Sequence, residues 1–236
     1  MNDRDKIVVG ILCGGRSAEH EISCISAGGI LGAIDREKYE PILIGITRTS
    51  GRWVVIPEGY PFEIRDGVLP VVPEDAVPVN SDLRGFSVNG KALNIDVIFP
   101  MLHGPYGEDG TIQGFCEIAN LPYVGSGVLA SAVAMDKSFA KSIFAAHGMK
   151  VAEGVLITAE KWESDRQACK TLIGGFAYPF FVKPARGGSS RGTSKVKSAA
   201  ELDGAISEAL KFDRKVLIEE GRRRLGNRMW RSRSKW

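Results

Sequence analysis

Long hydrophobic runs are missing from this 236-residue sequence: no apolar stretch reaches the roughly 18–20 residues that span a bilayer. A secretory leader is also missing. Residues 1–6 (MNDRDK) carry charge of both signs and lead straight into an apolar strand pattern. The four cysteines, Cys13, Cys24, Cys116 and Cys169, form no C-x-x-C pair. With no export signal they read as reduced thiols of a cytoplasmic protein. The three histidines, His20, His103 and His147, are equally scattered, which argues against a zinc site. Neither G-x-G-x-x-G nor a P-loop occurs, and no solenoid-type repeat is visible.

The end of the chain is wholly basic. Residues 221–236 hold seven Arg or Lys and no Asp or Glu. Setting those seven aside leaves 24 basic against 28 acidic side chains, so residues 1–220 sum to −4 although the whole chain is +3. The body is mildly acidic, and a nucleic-acid or membrane partner is not expected. With 44% hydrophobic and 25% charged residues the chain can bury a core, and its length suits one large domain or two small ones.

The pattern predicts an α/β protein. Residues 6–13 (KIVVGILC) read as a buried parallel strand. Residues 18–34 read as a helix with Ile22, Ile25, Ile30 and Leu31 on its apolar side and Ser17 as N-cap. Residues 40–47 form the next strand, completing a βαβ unit. Residues 51–94 read as an elaborated insertion of short apolar pieces, at 53–56, 68–72, 86–88 and 92–93, with a two-residue hairpin turn at Asn89-Gly90. A core strand at 96–102, helices at 111–119 and 128–134, and a short strand at 122–124 follow. A boundary is expected near Met135-Asp136. Beyond it come a helix at 137–147, a strand at 151–157, a helix at 159–172, strands at 178–183 and 193–196, a helix from Ser198 to Phe212 with a Ser198/Glu201 capping box, and a strand at 215–219. That last strand is expected at an unpaired sheet edge.

Four places could carry chemistry. Gly14-Gly15 allows a sharp strand-to-helix turn, and Glu19 just beyond it could hold an ammonium group. His103 opens a glycine-rich loop (HGPYGEDG) at the C-terminal end of a strand, where open sheets bind ligands. It could meet a substrate carboxylate or simply be hydrogen-bonded within the loop. Lys183 ends an apolar strand before PARGGSSRG, a loop able to wrap a polyphosphate with N–H groups, hydroxyls and one ammonium. A flexible linker is the alternative, disfavoured because the loop sits between two strands. Lys137 begins a helix, an unfavourable place for a cation that a counter-anion, or simply solvent exposure, would relieve.

Six segments together, residues 14–23, 102–114, 122–128, 135–137, 183–192 and 216–220, resemble the D-alanine–D-alanine ligases of the ATP-grasp superfamily, in family order over residues 7–220. The resemblance implies an N-terminal parallel-sheet, Rossmann-like pre-ATP-grasp domain at 1–135. The first, α+β half of an ATP-grasp domain, with its nucleotide-binding lid, would follow at 136–220. It implies cytoplasmic ATP-dependent joining of two D-alanines through an acyl phosphate, for peptidoglycan precursors, with Mg²⁺ or Mn²⁺ and a homodimer in the intact family enzyme. By position Glu19 matches the carboxylate holding the first D-alanine's ammonium, and His103 the histidine near its carboxylate. Lys137 and Lys183 match the lysines on ATP phosphates. Ser189 and Ser190 lie in the lid, Ser189 being the serine linked to the catalytic glutamate. Glu219 matches the adenine-binding acid.

Arg191 stands where the family has an apolar lid residue. Residues 221–236 depart altogether, and the family's acidic metal ligands are expected beyond residue 220. Met and Trp have one codon each, so Met229-Trp230 reads Cys-Gly one base later, which resembles what the family has after this strand. The expectation is a reading frame that slips near Gly221, leaving a disordered basic tail and a chain inactive by itself. The competing readings are another ATP-grasp carboxylate–amine ligase and a non-catalytic nucleotide-binding remnant.

Overall fold

The computed structural model describes residues 6–82 and 85–221. The basic tail, its expected disorder and the expected frame slip fall on residues that lie outside the described ones, Gly221 apart. The chain divides into two compact units, Met1–Met135 and Asp136–Trp236.

The first unit is built on a five-stranded sheet. Strand β1 (Ile7–Gly14) pairs in parallel with β2 (Tyr39–Ile46) on one side and β8 (Val97–Pro100) on the other. All of β1 after Ile7 is buried, which is why it reads as an unbroken β-branched run rather than an alternating one. Helix α1 (His20–Ala33) makes the crossover, so β1–α1–β2 is the predicted βαβ unit.

Helix α1 buries the expected face in part: Ile30 and Leu31 pack against the core, but Ile22 does not. His20, Ser23, Cys24 and Ala27 point inward at helical spacing, while Ile22 is about half exposed. Small residues win this face because the helix packs closely: a Cβ on Gly28 would stand 2.7 Å from the Phe62 carbonyl oxygen. Ser17 is not the cap. The helix starts at His20 with Glu19 at the N-cap position, and the Ser17 hydroxyl accepts from Glu19 N at 3.1 Å in a tight turn before it.

The insertion adds β3 (Trp53–Val55), antiparallel on β2, and then β4 (Val77–Pro78). A separate three-stranded sheet, β5 (Asn80–Asp82), β6 (Gly85–Val88) and β7 (Lys91–Ala92), follows. Asn89 and Gly90, at φ 49° and 78°, close the β6–β7 hairpin as their sequence predicts. Residues 68–72 form no strand. Instead Val72 is buried against the glycines of the sheet: a Cβ on Gly45 would stand 2.6 Å from its side chain. Residues 122–124 make a single bridge, Ile98 to Tyr123, rather than a strand. Helices α2 (Thr111–Ile118) and α3 (Val128–Met135) complete the unit.

The second unit opens with α4 (Lys137–Ala146) and an antiparallel sheet in the order β11 (Ser194–Val196), β10 (Phe180–Pro184), β12 (Lys215–Glu220), β9 (Gly154–Thr158). Helices α5 (Ala159–Ser164), α6 (Arg166–Ile173) and α7 (Ala199–Leu210) pack on one face, with Ile157, Trp162, Phe180, Val182, Val216 and Ile218 among the core residues. The single helix expected over 159–172 is two, because Asp165 breaks the run and caps α6 by accepting from Ala168 N at 2.9 Å. The Ser198/Glu201 capping box is also altered: the Ser198 side chain makes no cap bond, and Glu201 instead accepts from Lys197 N at 2.8 Å. The largest correction concerns β12, which is no edge. It is central, paired with β10 and β9 on its two sides, and so its polar backbone is satisfied. Among the described residues no helix is long and apolar enough to cross a membrane, and all four cysteines are buried free thiols.

Candidate functional site

In the first unit the ends of β1 and β8 bring two loops together. Gly14 and Gly15 have φ of 81° and 93°, and a Cβ on Gly14 would stand 2.6 Å from both the Ile46 carbonyl oxygen and the Val72 side chain. Only glycine makes this turn at this separation. Ser23 fastens it: Gly14 N donates to the Ser23 hydroxyl at 2.8 Å, which donates to the Met101 carbonyl at 2.6 Å. His20 is fully buried beside it. Its Nε2 accepts from Val72 N at 3.0 Å, so Nδ1 carries the proton and donates to the Gly15 carbonyl at 2.6 Å.

The turn delivers Glu19 to the glycine-rich loop. Its Oε2 lies where a Cβ on Gly104 would come within 2.6 Å, and Gly104, at φ 71°, leaves the space open. The Ser17 hydroxyl donates to the His103 carbonyl at 2.8 Å, and His103 Nε2 meets the Ser26 hydroxyl at 2.9 Å. Glu108 accepts from Gly104 N at 2.7 Å, and Asp109 from Tyr106 N at 2.9 Å. A half-buried carboxylate and imidazole therefore flank one polar corner, suited to a zwitterion. Glu19 lies against the loop that His103 opens, although the two residues are 84 positions apart.

In the second unit the pleat does the positioning. Val216 and Ile218 of β12, and Phe180 and Val182 of β10, face the helices. The alternate residues Leu217, Glu219 and Lys183 must therefore share the opposite face. Lys183 pairs with Glu219, and Lys141 on α4 pairs with the same carboxylate. Burial pushes the Glu219 carboxyl up, but bonds from Lys141 and then Lys183 outweigh it and hold the group below its ordinary range. Lys141 escaped the sequence reading; its signal is the i, i+4 spacing from Lys137, which puts both on one side of α4.

Asp136 is the N-cap of α4, accepting from Ser138 N at 3.0 Å, and it also pairs with Lys215. Its neighbour Lys137 donates Nζ to the Gly187 carbonyl at 2.7 Å, at the root of the glycine–serine loop, and feels the charges of Asp136, Asp213 and Glu219. Burial, then the nearby Lys183 charge, lowers the Lys137 pKa. Ser189 and Ser190 are exposed at the loop's outer part, both with left-handed φ, 49° and 55°. Beside Lys141 and Glu219's strand a cavity of about 640 Å³ is lined by Phe139, Gly154, Leu156, Phe176 and Leu217. Three ammonium groups, a glycine–serine loop and an apolar cleft suit the phosphates and flat base of a nucleotide. Among the described residues no group of three His, Cys, Asp or Glu side chains could hold a metal ion.

Known proteins resemble both units. Residues 8–126 match the family described as D-ala D-ala ligase N-terminus, and residues 143–226 match D-ala D-ala ligase C-terminus. The D-alanine–D-alanine ligase of Kineococcus radiotolerans is 43% identical over 235 residues, covering 93% of this chain and 61% of that protein. The VanG D-Ala:D-Ser ligase from Enterococcus faecalis superposes with a TM-score of 0.77 at 34% identity, over 92% of this chain and 63% of that one. The D-alanine–D-alanine ligase of Coxiella burnetii gives 0.78 at 32% identity, over 92% and 64%. The chain thus spans about three fifths of the length of the curated relatives it matches. Because both family regions occur in order, each on a unit folded as in the solved ligases, this α/β chain belongs to the D-alanine–D-alanine ligase family of ATP-grasp proteins.

Proposed function

We propose that the chain serves ATP-dependent joining of two D-alanines into D-alanyl-D-alanine, through an acyl phosphate, for peptidoglycan precursors. The observation that carries the reading is the open sheet face of the second unit, where Lys183, Lys141 and Glu219 meet beside the glycine–serine loop that Lys137 grips. ATP supplies the phosphoryl group that makes the D-alanine carboxylate electrophilic. Phosphoryl transfer needs positioning and charge neutralisation more than a protein nucleophile. That explains a site of lysines and backbone amides without a Ser–His–Asp triad.

In this reading Lys137 and Lys183 neutralise ATP phosphates, Ser189 and Ser190 close the loop over them, and Glu219 receives the adenine amino group. Glu19 holds the ammonium of the first D-alanine, and His103 lies by its carboxylate. Domain roles follow: 1–135 takes the amino acid and 136–220 the nucleotide. No described cluster fits Mg²⁺, so no step is assigned to it.

The test is two calorimetric titrations of the full chain. ATP should bind to the wild type, and Lys183→Ala should abolish that binding. D-alanine but not L-alanine should bind, and Glu19→Gln should remove it. Undiminished ATP affinity in Lys183→Ala, or equal response to both enantiomers, would refute the assignment.

A further inference from the structure

The glycine–serine loop leaves the sheet after β10 and returns at β11, and two consecutive side chains on the turn between α7 and β12 hold its two ends. At the departing end Arg186 N donates to Asp213 Oδ2 at 2.8 Å, Arg186 Nε to the same oxygen at 3.2 Å, and Nη2 to Oδ1 at 2.9 Å. The Asp213 carboxylate is 1% exposed and also accepts from Lys215 N at 3.3 Å. At the returning end the Arg191 guanidinium lies 5.3 Å from the centre of the Phe212 ring. Gly192, at φ 67°, packs so tightly there that a Cβ would stand 2.5 Å from Phe212 Cδ2 and 2.9 Å from the Pro184 ring.

We propose that Phe212 and Asp213 are positioning residues that clasp the two ends of this loop, so that its nucleotide-facing amides and hydroxyls are pre-set; the proposal rests on the nucleotide reading above. The physical reason is entropy. Between the two attachments lie Gly187, Gly188, Ser189 and Ser190, a segment with wide backbone freedom. A segment ordered only on binding loses affinity to that ordering, and one anchored beforehand keeps more of it. The departing anchor uses a planar fork on a carboxylate, a geometry lysine cannot reproduce. The returning anchor gives Arg191 a purpose: its charge is drawn onto a ring face rather than left loose beside the phosphate lysines.

The full chain tests this by amide hydrogen exchange over residues 184–193, with ATP affinity measured in parallel by calorimetry. Phe212→Leu keeps apolar bulk but removes the ring face. It should speed loop exchange and weaken ATP roughly two- to five-fold, while Phe212→Tyr stays at the wild-type level. Asp213→Asn should do so by roughly ten-fold. Buried α7 amides should stay protected, which separates a loosened loop from a damaged fold. If Asp213→Asn fails to fold, the Phe212 pair carries the test, since that side chain is partly exposed. Unchanged loop exchange in both variants overturns the clasp. Faster exchange with unchanged ATP affinity overturns its positioning role. A wild type that binds no ATP overturns the nucleotide reading, while the exchange data still decide whether Phe212 and Asp213 hold the loop.

Discussion

Glu219→Gln isolates the electrostatics of the second unit. The carboxylate is 11% exposed and bridges two lysines that are 20% and 25% exposed, Lys141 and Lys183. Glutamine keeps the shape but removes the charge, leaving two ammonium groups facing each other across a neutral amide. Breaking a buried pair by removing one partner costs about 3–5 kcal/mol. These lysines retain some solvent and can swing outward, so we expect about 1–3 kcal/mol at pH 7. The pH dependence has a definite sign. The folded-state pKa of Glu219 lies below its ordinary value of 4.5. Its contribution is therefore fully present above that value and is lost as pH falls through the folded pKa. The assay is amide exchange of β10 and β12, followed from pH 7 down to about pH 3 after correction for intrinsic rates. Wild type should lose protection below pH 4.5, and Glu219→Gln should start lower at pH 7 and lose less. Equal protection at pH 7, or an acid slope as steep as that of wild type, would refute the reasoning.

Three further outcomes follow from geometry. Gly104→Ala puts a Cβ within 2.6 Å of Glu19 Oε2 at a φ of 71°. It should remove D-alanine binding and destabilise the first unit by about 1–2 kcal/mol, read by calorimetry and urea titration. Ser23→Ala strips the buried bridge between Gly14 N and the Met101 carbonyl and should cost about 2–4 kcal/mol; a loss under 0.5 kcal/mol would mean the turn is held otherwise. Asp165→Ala removes the cap of α6. It should lower stability by about 1 kcal/mol, visible in Trp162 fluorescence because that ring is buried in the same unit's core.

Much of this molecule was legible in the chain because its signals are local. The β-branched run at Ile7–Gly14 declares a strand buried on both faces. Asn89-Gly90 declares a hairpin. Six ordered motifs declare the family. What escaped depends on which surfaces meet. The first half of α1 buries His20, Ser23, Cys24 and Ala27 and leaves Ile22 half exposed, and Gly28 lies against Phe62 too closely for a Cβ, a neighbour that helical periodicity does not name. Strand β12 is central because β9 joins it from 57 to 65 positions earlier, a pairing that strand periodicity cannot announce. The ion-pair partners of Glu219 lie 36 and 78 positions away, and Phe212 and Asp213 meet the loop ends across 20 to 27. Sequence by itself determined most of the strands, helices and turns, though not the break at Asp165 or the lone bridge at Tyr123, since propensity, capping and periodicity act over a few residues. Tertiary structure alone decided which face is buried and which charges pair, because burial and Coulomb attraction depend on distance in space, not along the chain.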